Sequence, residues 1–127
     1  MSSLSVLKAA LEKVEARDLE GFLAMLTEDC IIMKDNGEVV AHGSAALRSF
    51  YTPIFTGQET LTITITDEFE TGSIVAVRES NKDMSVNGEL KDVDTVWIYR
   101  ISSGKIAYMH VFSPDAEASE ALDSVTL

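Results

Sequence analysis

The sequence predicts an α+β fold in which about three helices from the N-terminal half pack on a strongly curved antiparallel sheet. Three observations carry this. Apolar residues recur at helical spacing in three segments of the first half. From "TLTITIT" onward the period drops to two, as in strands with one buried face. Two turn signals, Asn87-Gly88 and Gly104 within "ISSGK", then divide Ser73 to Ser113 into a three-stranded meander.

Leu4, Leu7, Leu11 and Val14 form the stripe of the first helix, with Ser2 or Ser3 as its cap. Asp18 caps a second helix, "LEGFLAMLT", that buries Phe22, Leu23 and Leu26. "CIIMK" reads as a strand, Asn36-Gly37 as a tight turn and "EVVA" as the returning strand. Ser44 caps a third helix with Leu47, Phe50, Tyr51 and Ile54 on its buried side, and Pro53 should bend or end it. Ile63 and Ile65 then share one side of a strand, and Thr71-Gly72 turns into the meander. The acidic tail "PDAEASEALDSVTL" suggests a short helix or a frayed end. The 127 residues read as a single domain, 1–127, without repeats or linker.

Turn chemistry sets the faces of the meander. A two-residue loop at Asn87-Gly88 pairs Val86 with Glu89, which puts Arg78 opposite Trp97 and Ala76 opposite Tyr99. A three-residue loop pairs Ile101 with Lys105, so Trp97 meets Met109 and Val96 meets His110. One face then carries Ala76, Arg78, Ser80, Thr95, Trp97, Tyr99, Met109 and Val111, and Ser113 continues it. The other carries Val75, Val77, Asp94, Val96, Ile98, Tyr108, His110 and Phe112.

A curved sheet under helices leaves a cavity on its concave side. The expected ligand pocket is therefore Arg78, Trp97, Tyr51, Tyr99, Thr95, Met109, Val111 and Ser113. Arg78 would clamp a carboxylate or carbonyl. The structural alternative stacks it on Trp97 or pairs it with a carboxylate such as Glu79 or Asp94. Asp35 and His42, near the expected pocket mouth, are the acid–base candidates. His110 is expected outward, beside Val96 and diagonal to Asp94. The outward face (Val96, Ile98, Tyr108, His110, Phe112) is too apolar to stay in water and predicts a homodimer.

Net charge is −11 and the pI is near 4.4, which argues against nucleic-acid or anionic-membrane partners. Cys30 is the only cysteine, so no intrachain disulfide forms and a reducing compartment fits. The N-terminus lacks the pattern of a secretory signal, and no apolar window is long enough to span a membrane; a cytoplasmic location is expected. Two histidines and one cysteine lie far apart in the chain, without metal-ligand spacing. Phosphate-loop, nucleophile-elbow and dinucleotide motifs are missing, so no metal or cofactor is expected.

The stretch "RDLEGFLAMLTEDCIIMKDNGEVVAHGSAALRSFY" resembles the opening of the nuclear-transport-factor-two-like (SnoaL-like) superfamily. "TVWIYRISSGKIAYMHVFS" is similar to that superfamily's last hairpin. The resemblance spans residues 4 to 113 and implies a cystatin-like cone. It also implies a choice among functions: ketosteroid isomerases, polyketide cyclases, dehydratases and non-catalytic modules share this scaffold. Against the ketosteroid isomerases, the proton-shuttling aspartate falls on Lys34, with Asp35 adjacent. The oxyanion tyrosine falls on Ala10 and the protonated aspartate close to Thr95; only the helix-three aromatic, Tyr51, is kept. Steroid isomerisation by that set is excluded. Against the association domain of calcium/calmodulin-dependent kinase two, "AVRE" matches a pocket arginine at Arg78, while Thr95 and Ser113 replace two others. The resemblance thus implies a small-molecule pocket protein, and if an enzyme, a cofactor-independent isomerase, dehydratase or cyclase acting on a compact carbonyl or carboxylate compound. The alternative is a non-catalytic ligand-binding or dimerisation module.

Overall fold

The computed structural model describes residues 2–34, 37–57, 62–86 and 89–112. Asp35, the Asn87-Gly88 turn, Ser113 and the acidic tail lie outside them. In chain order the elements are α1 (Ser3–Glu15), α2 (Leu19–Leu23), β1 (Leu26–Lys34), β2 (Glu38–His42) and α3 (Ser44–Gly57), then β3 (Thr62–Thr71), β4 (Ile74–Val86), β5 (Glu89–Ser102) and β6 (Lys105–Phe112).

Local chemistry accounts for the helices. Ser2 caps α1 by accepting from the Ser5 amide at 3.1 Å, and Val6, Leu7, Ala10 and Val14 are its buried stripe. Asp18 caps α2, accepting from the Gly21 amide at 2.9 Å. That helix ends five residues on, at Leu23, and Leu26 already belongs to β1. Pro53 does not end α3, which runs on to Gly57. Phe55, absent from the expected stripe, is buried beside Leu47 and Tyr51.

The six strands form one sheet in the order β2-β1-β6-β5-β4-β3. Every neighbouring pair is antiparallel except β1 with β6, which run parallel. The predicted all-antiparallel sheet is corrected at that junction. The chain leaves β1 through β2 and α3, builds the meander outward from β3, and brings β6 back alongside β1. α1 and α3 cover the concave face. Their apolar stripes and the inward residues Val75, Val77, Tyr99, Ile106 and Met109 make one core.

The register of β4 against β5 corrects the predicted faces. Val86 pairs with Glu89 as expected, but the ladder shifts between Asn81 and Met84. Beyond that irregularity Arg78 pairs with Val96, Val77 with Trp97 and Val75 with Tyr99. One extra residue moves each side chain on β4 to the other face. Ala76, Arg78 and Ser80 therefore leave the concave face, and Val75, Val77 and Glu79 take it. At the other loop, Ser102 pairs with Lys105, and Ser103 and Gly104 both have positive φ (52° and 77°), a two-residue turn rather than three. A further shift between Arg100 and Ile101 pairs Tyr99 with Met109 and Trp97 with Val111. The net slip is even, so β5 and β6 keep their expected faces, although His110 meets Ile98 and not Val96.

Candidate functional site

A cavity of about 300 Å³ lies between the concave face, α1 and α3. Its lining is Leu7, Ala10, Leu11, Val14, Phe22, Phe50, Tyr51, Ile54, Ile63, Glu79, Thr95, Trp97, Tyr99, Ile106, Met109 and Val111. Sixteen side chains thus contribute a single carboxyl and no described Lys, Arg or His. A larger, shallower groove between α2 and α3 is crossed by an exposed pair, Arg48 Nη2 to Glu20 Oε1 at 2.9 Å. Its charges are already paired in water, so it offers weaker chemistry.

Glu79 is the unusual member. It is only 2 % exposed, a buried charged side chain among apolar walls. The Tyr99 hydroxyl donates to its Oε2 at 2.8 Å, and no other hydrogen bond to the Glu79 carboxyl occurs among the described residues. Burial pushes the carboxyl up to about 7, and the Tyr99 bond opposes that rise only in part. Tyr99 is itself driven well above the usual phenol range by burial and by the neighbouring carboxylate.

Aromatic rings frame the carboxyl. Trp97 stacks on Tyr99 at 5.7 Å and 9°, and its Nε1 donates to Thr95 Oγ1 at 3.1 Å. Tyr51 meets Phe22 edge-on at 4.7 Å, and its hydroxyl points to Met109 Sδ at 3.5 Å. Burial, with Cys30 and Glu79 nearby, raises the Tyr51 phenol. Cys30 is fully buried, and burial raises its thiol to about 12, so it carries no thiolate chemistry.

Of the expected pocket residues, Tyr51, Thr95, Trp97, Tyr99, Met109 and Val111 line the cavity. Arg78 does not: it stands on the convex face with its Nη1 3.6 Å from Asp67 Oδ2. Its carboxylate partner is Asp67, neither Glu79 nor Asp94. His42 is exposed at the end of β2 and outside the cavity lining, and Asp35 and Ser113 lie outside the described residues. No cluster of three or more metal-ligating side chains occurs among the described residues. Glu79 escaped the sequence reading because the hairpin register put it outward. The signal that would have found it is the alternation Val75, Val77, Glu79: the two β-branched residues mark the buried face, and Glu79 follows them at the same period.

With helices over the concave face of one six-stranded sheet and a largely apolar cavity between, the molecule has a cone-like α+β architecture. The chain belongs to the SnoaL-like domain family, whose profile matches residues 7–109. No curated protein matches the sequence. Among solved structures it is similar to an uncharacterised cystatin-fold protein from Novosphingobium aromaticivorans, at 24% identity over 87% of this chain and 97% of that one, TM-score 0.76. An NTF2-like protein of unknown function from Burkholderia pseudomallei superposes with TM-score 0.75 at 20% identity, covering 100% of both chains. A Mycobacterium tuberculosis protein in complex with estradiol-17β-hemisuccinate shares 24% identity over 87% of this chain and 93% of that one, TM-score 0.73.

Proposed function

We propose that this chain is a small-molecule-pocket protein whose cavity performs proton transfer without a cofactor, with Glu79 as the acid–base group. The reaction class is isomerisation, dehydration or cyclisation of a compact carbonyl compound. The observation that carries this is the Glu79 carboxyl: buried on a cavity wall and titrating near 7, it exchanges a proton at neutral pH with little driving force lost in either direction. The M. tuberculosis relative, crystallised with estradiol-17β-hemisuccinate, supports an organic ligand with a large apolar body. With Arg78 across the sheet, a ligand carboxylate has no described counter-ion in the cavity, so the carbonyl half of the substrate expectation is retained. A reducing, cytoplasmic setting fits the single buried free cysteine.

The test needs no knowledge of the natural substrate. A bicyclic ketone such as 1-tetralone is incubated with the protein in D2O, and exchange of its α-protons is followed by proton NMR. Glu79→Gln should slow protein-catalysed exchange by about 100-fold or more, the usual scale for losing a general base. Equal exchange by both proteins would sink the role of Glu79. Binding without exchange would favour a non-catalytic ligand-binding module, a reading supported by the Tyr99 bond that already satisfies one carboxyl oxygen.

A homodimer through the convex face is part of the same proposal. Ile98, Tyr108, His110 and Phe112 are half-buried there beside buried Val96, and Phe69 on the edge strand β3 is 51% exposed. Light scattering should give a dimer mass that Ile98→Asp converts to a monomer; a monomeric parent protein would reject the interface.

A further inference from the structure

The cavity has a floor and a mouth. Glu79, Tyr99, Ile106 and Met109 are buried, whereas Leu11, Phe50, Ile54, Ile63 and Trp97 keep part of their surface in water. The mouth therefore opens between α1, α3, β3 and β5, and Ile54 is its outermost post on α3. Ile54 belongs to a turn that is loosely joined to the rest of its helix. Pro53 has no amide to give the Ser49 carbonyl. Around it the Thr52 hydroxyl donates to the Arg48 carbonyl at 2.6 Å and the Thr56 hydroxyl to the Thr52 carbonyl at 2.9 Å, bonds of a kind that bends helices. A residue from another element holds this turn in place: Arg17 Nη1 donates to the Phe55 carbonyl at 2.8 Å. That carbonyl lies in the last turn, where the helix itself supplies no amide and a cation suits the dipole.

Arg17 is an unexpected residue at its position. It follows Ala16, the C-cap of α1, with the Arg17 amide on the Val14 carbonyl at 3.0 Å and the Asp18 amide on the Lys13 carbonyl at 2.9 Å. These paired bonds mark a helix end that turns left-handed, usually through glycine. Arg17 takes the turn with φ 57°, which strains any residue with a side chain. Its Nη2 is buried and has no hydrogen-bond partner among the described residues. Strain and a half-satisfied guanidinium make the closed arrangement shallow, because opening hands both nitrogens to water.

We propose that the turn of α3 beyond Pro53 is a gate that admits ligand to the cavity past Ile54, and that Arg17 is its latch. The gate rests on the cavity binding a small molecule, as read above, and not on the role of Glu79. Swinging Ile54 outward widens the mouth, and the bond from Arg17 to Phe55 closes it. A latch acts on passage in both directions. It sets the speed of exchange and leaves affinity alone while the closed form dominates with and without ligand.

Stopped-flow fluorescence of Trp97, the sole tryptophan and a cavity residue, gives both rate constants on mixing with 1-tetralone. Arg17→Gly removes the guanidinium and relieves the backbone, so the variant should fold. Its association and dissociation rates should each rise about tenfold, the scale of one hydrogen bond from a charged donor, with Kd unchanged. Arg17→Lys keeps a charged donor on a long stem and should bring both rates back toward the parent's. Pro53→Ala restores the amide, stiffens the turn and should slow both steps. Amide hydrogen exchange at Thr56 and Gly57 should quicken in Arg17→Gly while that of Tyr51 stays as it was. Parental rates in Arg17→Gly overturn the proposal, as does a loss of affinity carried by dissociation alone, the mark of a residue that shapes the ligand's wall. A parent protein whose Trp97 ignores tetralone overturns the pocket reading and the gate with it. Gated binding without α-proton exchange upholds the gate and ends only the Glu79 chemistry.

Discussion

Arg78 and Glu79 are consecutive in β4 and meet opposite fates. Arg78 points to the convex side, keeps a third of its side chain in water and leans on half-exposed Asp67 at 3.6 Å. Glu79 points into the cone, loses nearly all contact with water and has a single tyrosine hydroxyl as partner. Solvation separates them. On the convex side water screens the ion pair, so charge is cheap and nearly without consequence. On the concave side apolar walls penalise the carboxylate, and the group holds its proton to about 7. Side chains one residue apart on a strand therefore differ in chemistry because the sheet divides two dielectric environments.

The pH dependence of stability gives the widest separation between the two faces. The folded Glu79 carboxyl is raised to about 7 from an ordinary 4.5. Between those values the folded state holds a proton that the unfolded state has released, so this group makes stability fall as pH rises through the window. The cost is complete above about pH 7 and amounts to about 3 kcal/mol at most. Urea titrations at pH 5 and pH 8 should show that fall in the parent protein and a much smaller one in Glu79→Gln. A parallel pH profile in both proteins would mean that Glu79 is solvated.

Tyr99→Phe sharpens the same point. It removes the one bond that favours the carboxylate, so the Glu79 transition should move above 7 and stability at pH 8 should drop by about 1 kcal/mol. NMR titration of the Glu79 side-chain carbon checks the direction; a downward move would refute this account of the pair. Arg78→Ala should do least, about 0.5 kcal/mol or less in stability and no change in tetralone affinity. A tenfold loss of ligand binding in that variant would return Arg78 to the pocket.

Much of the fold was legible in local pattern. Leu7 and Val14 on the buried side of α1, the cap at Asp18, the inward aromatic Tyr51 and the Val86–Glu89 end of the first hairpin follow from periodicity and turn residues, whereas the second hairpin closes at Ser102–Lys105 rather than Ile101–Lys105. Trp97, Tyr99, Met109 and Val111 on the cavity wall follow from the same pattern, since the slip between β5 and β6 is even. The site's chemical group was not legible by the same route. An irregularity between Asn81 and Met84 is invisible to a turn rule applied at Asn87-Gly88, and it exchanged Arg78 for Glu79. The parallel contact of β1 with β6 was hidden for a related reason: nothing near Cys30 or Met109 in the chain specifies a partner so distant in sequence.

Local sequence was enough for the class of fold, the helices and the apolar character of the cavity, because these depend on residue spacing of a few positions. Tertiary structure decided which charge faces inward and what that charge becomes. A strand's face depends on every residue between it and its turn, and a carboxyl's proton affinity depends on the walls that several distant elements bring around it.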